Sequence, residues 1–178
     1  LDDDEHRQEF FQARATSEGK KAADIAERVL VEAGFDIVKS PVKIPKVGVQ
    51  FNFLVEDTEG GQWYVDVSGA FTTVRPGLMR TDTLWKTLGR IHVLRRTDEP
   101  QNPSRVLVLT SNLPKSNSEG DKALRAVGAD QVFDAVEMFD AAGLARLAAY
   151  AEGGAVLPIP GFWTEDDIER YEAATGSA

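Results

Sequence analysis

The chain has no cysteine among its 178 residues and only two histidines, His6 and His92. The lack of cysteine excludes disulfide scaffolds, thiol nucleophiles and thiolate zinc sites, and two distant histidines argue against a histidine-rich metal centre. No apolar run approaches the roughly 20 residues that a transmembrane helix needs. The basic, apolar and small-residue segments of a signal peptide are also missing. We therefore expect a cytoplasmic domain with no membrane partner.

Several enzyme motifs are absent as well. The sequence contains no G-x-x-x-x-G-K-[ST] phosphate loop, no G-x-G-x-x-G dinucleotide turn and no G-x-S-x-G nucleophile elbow. The pairs Gly60–Gly61 and Gly153–Gly154 instead favour turns. These absences argue against nucleotide-hydrolysing enzymes, dinucleotide-dependent oxidoreductases and serine hydrolases of the common kinds.

The net charge of −9 argues against a protein that coats DNA over its whole surface. The acidic residues, however, cluster at 2–5 and 165–169, near the two ends of the chain. The middle has a local excess of arginine and lysine between Arg75 and Arg96. If the protein binds DNA, we expect this basic stretch to make the contacts. Charge reversal at Arg75 and Arg80 should then weaken binding to every sequence.

An apolar share of 42% and a charged share of 28% are typical of one globular domain. The chain begins at Leu1, and we expect it to be part of a longer protein that supplies other domains. Residues 1–157 form the predicted main domain and residues 158–178 a C-terminal helical extension. The pattern does not predict an oligomeric state.

Hydrophobic periodicity predicts an alternation of helices and strands. A first helix is expected over 3–33, ended by Gly34. A second begins with Asp82 as its N-cap and runs to Arg95, with His92 on its inner side. The run Arg105–Thr110 has the pattern of a strand buried on both faces. The remaining expectations are strands at 35–38, 47–55, 62–68 and 132–138, and helices at 119–127, 141–151 and from Thr164, which opens a capping box with Asp167.

The two middle strands are expected to form an antiparallel hairpin around the turn at 57–61. Strict alternation places Phe51 and Phe53 on one face of the first strand and Asn52 on the other. In the second strand it places Trp63, Val65 and Val67 opposite Tyr64, Asp66 and Ser68. A carboxylate in mid-strand is unusual, so Asp66 is the strongest candidate for a functional residue.

The order α-β-β-β-α-β, with an acidic residue in the third strand, resembles the PD-(D/E)xK nuclease superfamily. The resemblance covers most of residues 19–140. It implies an α/β fold with a restriction-endonuclease-like mixed β-sheet core (αβββαβ) and flanking helices. It also implies phosphodiester hydrolysis with Mg²⁺, because two carboxylates on adjacent strands hold the ion and a nearby lysine orients the attacking water.

The resemblance assigns residues to this site. Asp66 falls on the acidic position and Ser68 on the lysine position, and Glu27 corresponds to the helical glutamate. Asn52 stands where the first aspartate is expected, and Glu56 on the same strand face is a substitute second carboxylate. The resemblance thus implies Asp66, Ser68 and Glu27 as catalytic residues, and Asp66, Asn52 and Glu56 as Mg²⁺ ligands.

Two of the three core positions depart from the family pattern, since serine supplies no cation and asparagine no charge. Two functions therefore remain open: a metal-dependent nuclease domain of a DNA-processing or restriction-type protein, and an inactive nuclease fold that binds DNA or another protein. Each residue also has a plain structural alternative. Asp66 could be an edge-strand or paired carboxylate, Ser68 the start of a loop and Glu27 a solvated or salt-bridged helix residue.

Overall fold

The structure, a computed structural model, describes residues 20–69, 77–98 and 103–176. These residues form five α-helices, one short 3₁₀ helix and seven strands. The helices are α1 (20–33), α2 (Thr81–Thr97), α3 (Glu119–Val127), α4 (Ala141–Ala151) and α5 (Glu165–Thr175), and the 3₁₀ helix spans Gly77–Met79. The strands are β1 (Asp36–Lys39), β2 (Val42–Lys43), β3 (Gln50–Phe51), β4 (Phe53–Glu56), β5 (Gln62–Ser68), β6 (Arg105–Thr110) and β7 (Asp134–Glu137). The part of the first predicted helix over 3–19 lies outside the described residues.

The main sheet has the strand order β1-β4-β5-β6-β7, and β2 and β3 pair in a separate two-stranded sheet. The pairs β1–β4 and β4–β5 are antiparallel, whereas β5–β6 and β6–β7 are parallel. The expectation of a mixed α/β fold is therefore confirmed, as is the hairpin of β4 and β5 around the turn at 57–61. The parallel pairs require crossover connections, which α2 and α3 provide.

Each face of the sheet carries its own apolar core. One core contains side chains of α1, α4 and alternate sheet positions such as Val65 and Leu107. The other contains side chains of α2, α3, α5 and the β2–β3 hairpin, together with Val106 and Val108. Strand β6 supplies both cores alternately, and every residue from Val106 to Thr110 is buried. Its predicted burial on both faces is confirmed.

The predicted single strand over 47–55 is wrong, because it breaks at Asn52 between β3 and β4. Phe53 packs in the core with α1 and α4, but Phe51 packs in the opposite core, with its ring centroid 5.4 Å from that of Tyr64. Two residues separated by one position share a face in a regular strand, so an irregularity must lie between them. Asn52 is the inserted residue that turns Phe51 to the other face.

Two expectations for α2 are also wrong. Its N-cap residue is Arg80, which makes no capping side-chain hydrogen bond, and Asp82 lies in the first turn rather than at the cap. Asp82 there interacts favourably with the positive end of the helix dipole. His92 was expected on the inner side of α2, yet it is exposed. The inner side instead consists of Leu84, Thr87, Leu88, Ile91 and Leu94.

The C-terminal segment packs against the core that contains α2. Trp163 is 1% exposed, and its indole nitrogen donates to the carbonyl oxygens of residues 132 and 133. Helix α5 begins with the predicted capping box: the Thr164 hydroxyl accepts from Asp167 N, and the Asp167 carboxylate accepts from Thr164 N. No described helix combines the length and the apolar character needed to cross a membrane.

Candidate functional site

Asp66 lies in the middle of β5 with 1% of its surface exposed. Its neighbours Val65 and Val67 point to the core of α1 and α4, so alternation along the strand directs Asp66 to the face covered by α2. Parallel β6 lies alongside, with Val108 opposite Asp66. A charged carboxylate in such a place requires compensating partners, because burial without them is very costly.

Those partners come from α2 and from β5 itself. Arg90 makes a two-pronged ion pair, with Nε 3.0 Å from Asp66 Oδ1 and Nη2 3.1 Å from Oδ2. Ser68 Oγ and Thr87 Oγ1 each lie 2.9 Å from Oδ2 and 2.6 Å from one another. The protons of the two hydroxyl groups thus serve three short oxygen–oxygen contacts, two to the carboxylate and one between the hydroxyl groups. Both oxygens of Asp66 are occupied by donors, and the carboxylate is an ion-paired one.

Arg90 is a residue that the sequence analysis did not single out. Thr87 and Arg90 are three residues apart on α2 and therefore adjacent on its surface. The sequence feature that could have identified this site is Thr87, a polar residue within the apolar inner side of the helix. Such a residue needs a polar partner from the sheet, and Asp66 is the polar residue on that sheet face. The arginine one turn further on is then the natural counter-ion.

Ser68 occupies the position that the family resemblance gives to lysine. It is 2% exposed, and its hydroxyl group is fully used by Asp66 and Thr87. The cation at this site comes instead from Arg90, which approaches from α2 rather than from the strand. The positive charge is therefore present, but it is paired with the carboxylate.

Asn52 is held by its place in the strand irregularity. Its backbone N–H donates to the Val65 carbonyl, and its side-chain Oδ1 accepts from Val67 N at 2.8 Å. The side chain thereby replaces a ladder hydrogen bond that the inserted residue would otherwise leave unmade. The oxygen that would be offered to a metal ion is engaged by the backbone of β5.

Glu56 and Glu27 do not approach Asp66. Glu56 pairs in register with Gln62, and its carboxylate accepts from Gln62 Nε2. Gln62 and Asp66 are four residues apart, which is roughly 13 Å along an extended strand. Glu27 is exposed on α1, whose inner residues Ala26 and Leu30 pack on the opposite face of the sheet.

The fit of this site to Mg²⁺ can be judged from its donor set. Mg²⁺ is usually bound through one or two carboxylates that remain free to face it. Over the described ranges, no three His, Cys, Asp or Glu side chains are grouped so as to hold a metal ion. Asp66 presents both oxygens to a guanidinium group and two hydroxyl groups. As arranged here, the residues do not fit Mg²⁺, and we assign the ion no role in a reaction at this site.

Of the two cations expected to contact nucleic acid, Arg75 lies outside the described residues. Arg80 is exposed just before α2, where its Nε lies 3.3 Å from Asp82 Oδ1. Desolvation of the Asp82 carboxyl acts to raise its pKa, but the hydrogen bond and the charge of Arg80 outweigh it, so the pKa lies below its ordinary value. Arg80 is therefore partly neutralised by its neighbour.

Two further buried carboxylates are structural. Asp134 is 0% exposed and accepts from Arg146 Nε and Tyr150 Oη, both at 2.8 Å. Burial raises the pKa of Asp134 and outweighs the arginine beside it.

Asp57 closes the β4–β5 turn and accepts from Trp63 Nε1 at 2.9 Å. Burial alone would raise the pKa of Asp57, but this hydrogen bond, two backbone N–H groups and the charge of Arg105 hold it below its ordinary value.

Comparison of the chain with family models, with curated proteins and with solved structures found no match.

Proposed function

We propose that the chain is a nucleic-acid-binding domain on a restriction-endonuclease-like scaffold, and that its Asp66 site does not cleave phosphodiesters. The observation that carries the proposal is the Asp66 carboxylate, whose oxygens are engaged by Arg90, Thr87 and Ser68. A metal-dependent nuclease of the resembled kind needs this carboxylate free to face Mg²⁺. Here Asp66 orients a guanidinium group instead.

Arg90 is suited to hold a backbone phosphate. Its Nε and Nη2 face Asp66, while Nη1 makes no hydrogen bond within the described part of the chain, and 31% of the side chain is exposed. A guanidinium group can bind a carboxylate along one edge and a phosphate oxygen with the remaining donors. Because Asp66 already fixes its orientation, less side-chain entropy is lost on binding.

The charge distribution on α2 supports a polyanionic ligand. Between Asp82 and Asp98 the sequence has no acidic residue. The same stretch carries four cations, Lys86, Arg90, Arg95 and Arg96, of which Arg95 is paired with Asp98 and only 12% exposed. The rest of the protein is strongly acidic and repels nucleic acid, so it would orient the ligand toward this helix.

The nuclease function remains a prediction with a specific requirement. For Asp66 to bind Mg²⁺, Arg90 would have to leave a salt bridge in which the carboxylate is 1% exposed. Breaking one partner of a buried pair typically costs about 3–5 kcal/mol. This arrangement favours binding of nucleic acid over its cleavage.

The test is the affinity for fluorescein-labelled oligonucleotides, measured by fluorescence anisotropy in EDTA from about 50 to 200 mM salt. We expect binding that weakens steeply with salt, because counterions are released. Arg90→Gln should weaken binding to every sequence and lower the salt slope by about one unit. Lys86→Ala, at an exposed position without an ion pair among the described residues, should act in the same direction without disturbing the fold.

Arg170→Ala is the matched control. Arg170 is 76% exposed on the acidic helix α5, and its removal changes the net charge by the same amount. It should leave the affinity unchanged. Equal losses from Arg170→Ala and Lys86→Ala would show only a general charge effect. A lack of salt-dependent binding by the unaltered chain would reject the proposal and favour the protein-interaction alternative.

A further inference from the structure

Trp85 is the feature of α2 that neither packing nor the Asp66 site explains. It is 58% exposed, whereas the other two tryptophans, Trp63 and Trp163, are 0% and 1% exposed. The apolar inner side of the helix lies elsewhere and includes Leu84 and Leu88. Tryptophan is enriched among the few side chains that contribute most of the binding energy at interfaces.

Gly89 lies one helical turn after Trp85, on the same surface of α2. A Cβ atom added there would have no heavy atom within 4 Å, so no neighbouring element requires a glycine. Glycine in the interior of a helix is destabilising relative to alanine. Its effect on the surface is to leave the helix backbone without a side chain one turn after Trp85.

Helix α2 also carries exposed cations. Lys86 and Arg96 are exposed, and neither forms an ion pair with another described residue. At 100° per residue, Lys86 lies between Trp85 and Arg90 around the helix. A chain that runs around α2 would therefore meet the ring, then the ammonium group, then the guanidinium group that Asp66 holds.

We propose that Trp85 and Gly89 form a stacking platform for a base of single-stranded nucleic acid, and that Lys86 and Arg90 hold the adjoining phosphates. This inference rests on the proposed function and specifies its ligand. A single strand is required because a base within a duplex has no free face to offer. Stacking on aromatic side chains beside a basic groove is a general mode of single-strand binding.

Trp85 also provides the readout, because it is the exposed one of three tryptophans. Titration with a single-stranded oligonucleotide should quench its fluorescence and protect it from acrylamide, whereas Trp85→Phe should lose most of that signal. Trp85→Leu should lower single-strand affinity by about 5- to 100-fold, in line with the loss of one stacked base. Its affinity for a blunt duplex should change less than twofold. Val31→Ala, at another exposed apolar position on α1, is the matched control and should leave both affinities unchanged.

Gly89 variants separate a binding role from a structural one. Gly89→Ala and Gly89→Leu favour the helix and should raise Tm by about 1–4 °C. At the same time they should weaken single-strand binding, with the larger leucine side chain having the larger effect. Higher Tm with unchanged affinity would overturn the platform.

The outcomes for the two proposals are distinct. If Trp85→Leu and Gly89→Leu bind single strands normally while Arg90→Gln does not, the platform is wrong and the phosphate site stands. If Trp85→Leu weakens duplex and single-strand binding equally, stacking is also wrong. If no oligonucleotide binds at low salt, both proposals fail. An unchanged Trp85 spectrum on binding would place the ligand away from α2 and overturn the platform directly.

Discussion

Replacing Arg90 with methionine tests whether the site is an ion pair that holds β5 to α2. The methionine side chain would keep most of the aliphatic packing but remove the cation beside Asp66, whose carboxylate is 1% exposed. Removal of one partner from a buried pair typically costs about 3–5 kcal/mol. Arg90 is 31% exposed, so water reaches part of the site, and two hydroxyl groups still contact the carboxylate. We therefore expect a smaller loss, of about 2–3 kcal/mol.

The assay is equilibrium unfolding in urea, with Arg80→Met as the matched control. Arg80, the N-cap residue of α2, pairs with Asp82 in the first turn, but their side chains are 46% and 56% exposed. Exposed pairs contribute about 0–1 kcal/mol, so this variant should remain close to the unaltered protein. An unchanged m value would show that the native surface area is preserved.

The double variant completes a thermodynamic cycle. Asp66→Asn keeps the shape and can still accept from the two hydroxyl groups, but it removes the buried charge. Together with Arg90→Met it should recover part of the lost stability, giving a coupling energy on the order of 1–3 kcal/mol. If Arg90→Met costs no more than Arg80→Met, or if the two substitutions at the site are simply additive, the central ion pair does not stabilise the fold as argued.

Three further predictions concern structural groups. Tyr150→Phe removes the hydroxyl that donates to buried Asp134, and it should lower the free energy of unfolding in urea by about 1–3 kcal/mol. Asp57 has a lowered pKa, so its contribution to stability is present above the unfolded-state pKa near 3.8 and is lost as pH falls through the folded-state pKa. As pH falls below 3.8, the stability of Asp57→Asn should therefore decrease less steeply than that of the unaltered protein in acid unfolding curves. Thr164→Ala should cost about 1 kcal/mol in urea unfolding through the lost cap of α5, and Thr164→Ser should be nearly neutral.

The order of helices and strands can be predicted from local sequence patterns. The run of buried residues in β6 and the Thr164 capping box are such patterns, and each depends on residues adjacent in sequence. The alternation in β5 correctly separates Trp63 and Val65 from Tyr64 and Asp66. These features could be predicted because each depends on one hydrophobic periodicity or on one short motif.

The irregularity at Asn52 could not be predicted in the same way. The letters of Phe51, Asn52 and Phe53 fit a regular strand, and only the pairing of β3 with β2 and of β4 with β5 requires an inserted residue. The ion pair of Asp66 with Arg90 depends on how α2 packs on the sheet. Sequence spacing places Arg90 on the flank of α2, and tertiary packing alone brings that flank to the carboxylate.

The most direct test of the central claim measures binding and cutting on the same samples. The chain and Asp66→Ala are incubated with labelled single strands, duplexes and supercoiled plasmid in Mg²⁺, Mn²⁺ or EDTA, and both anisotropy and products are followed. We predict salt-dependent binding of single strands of similar strength with and without metal ions, and no product. Robust metal-dependent cleavage that Asp66→Ala abolishes would contradict this, because Asp66 would then act as a metal ligand rather than as the partner of Arg90.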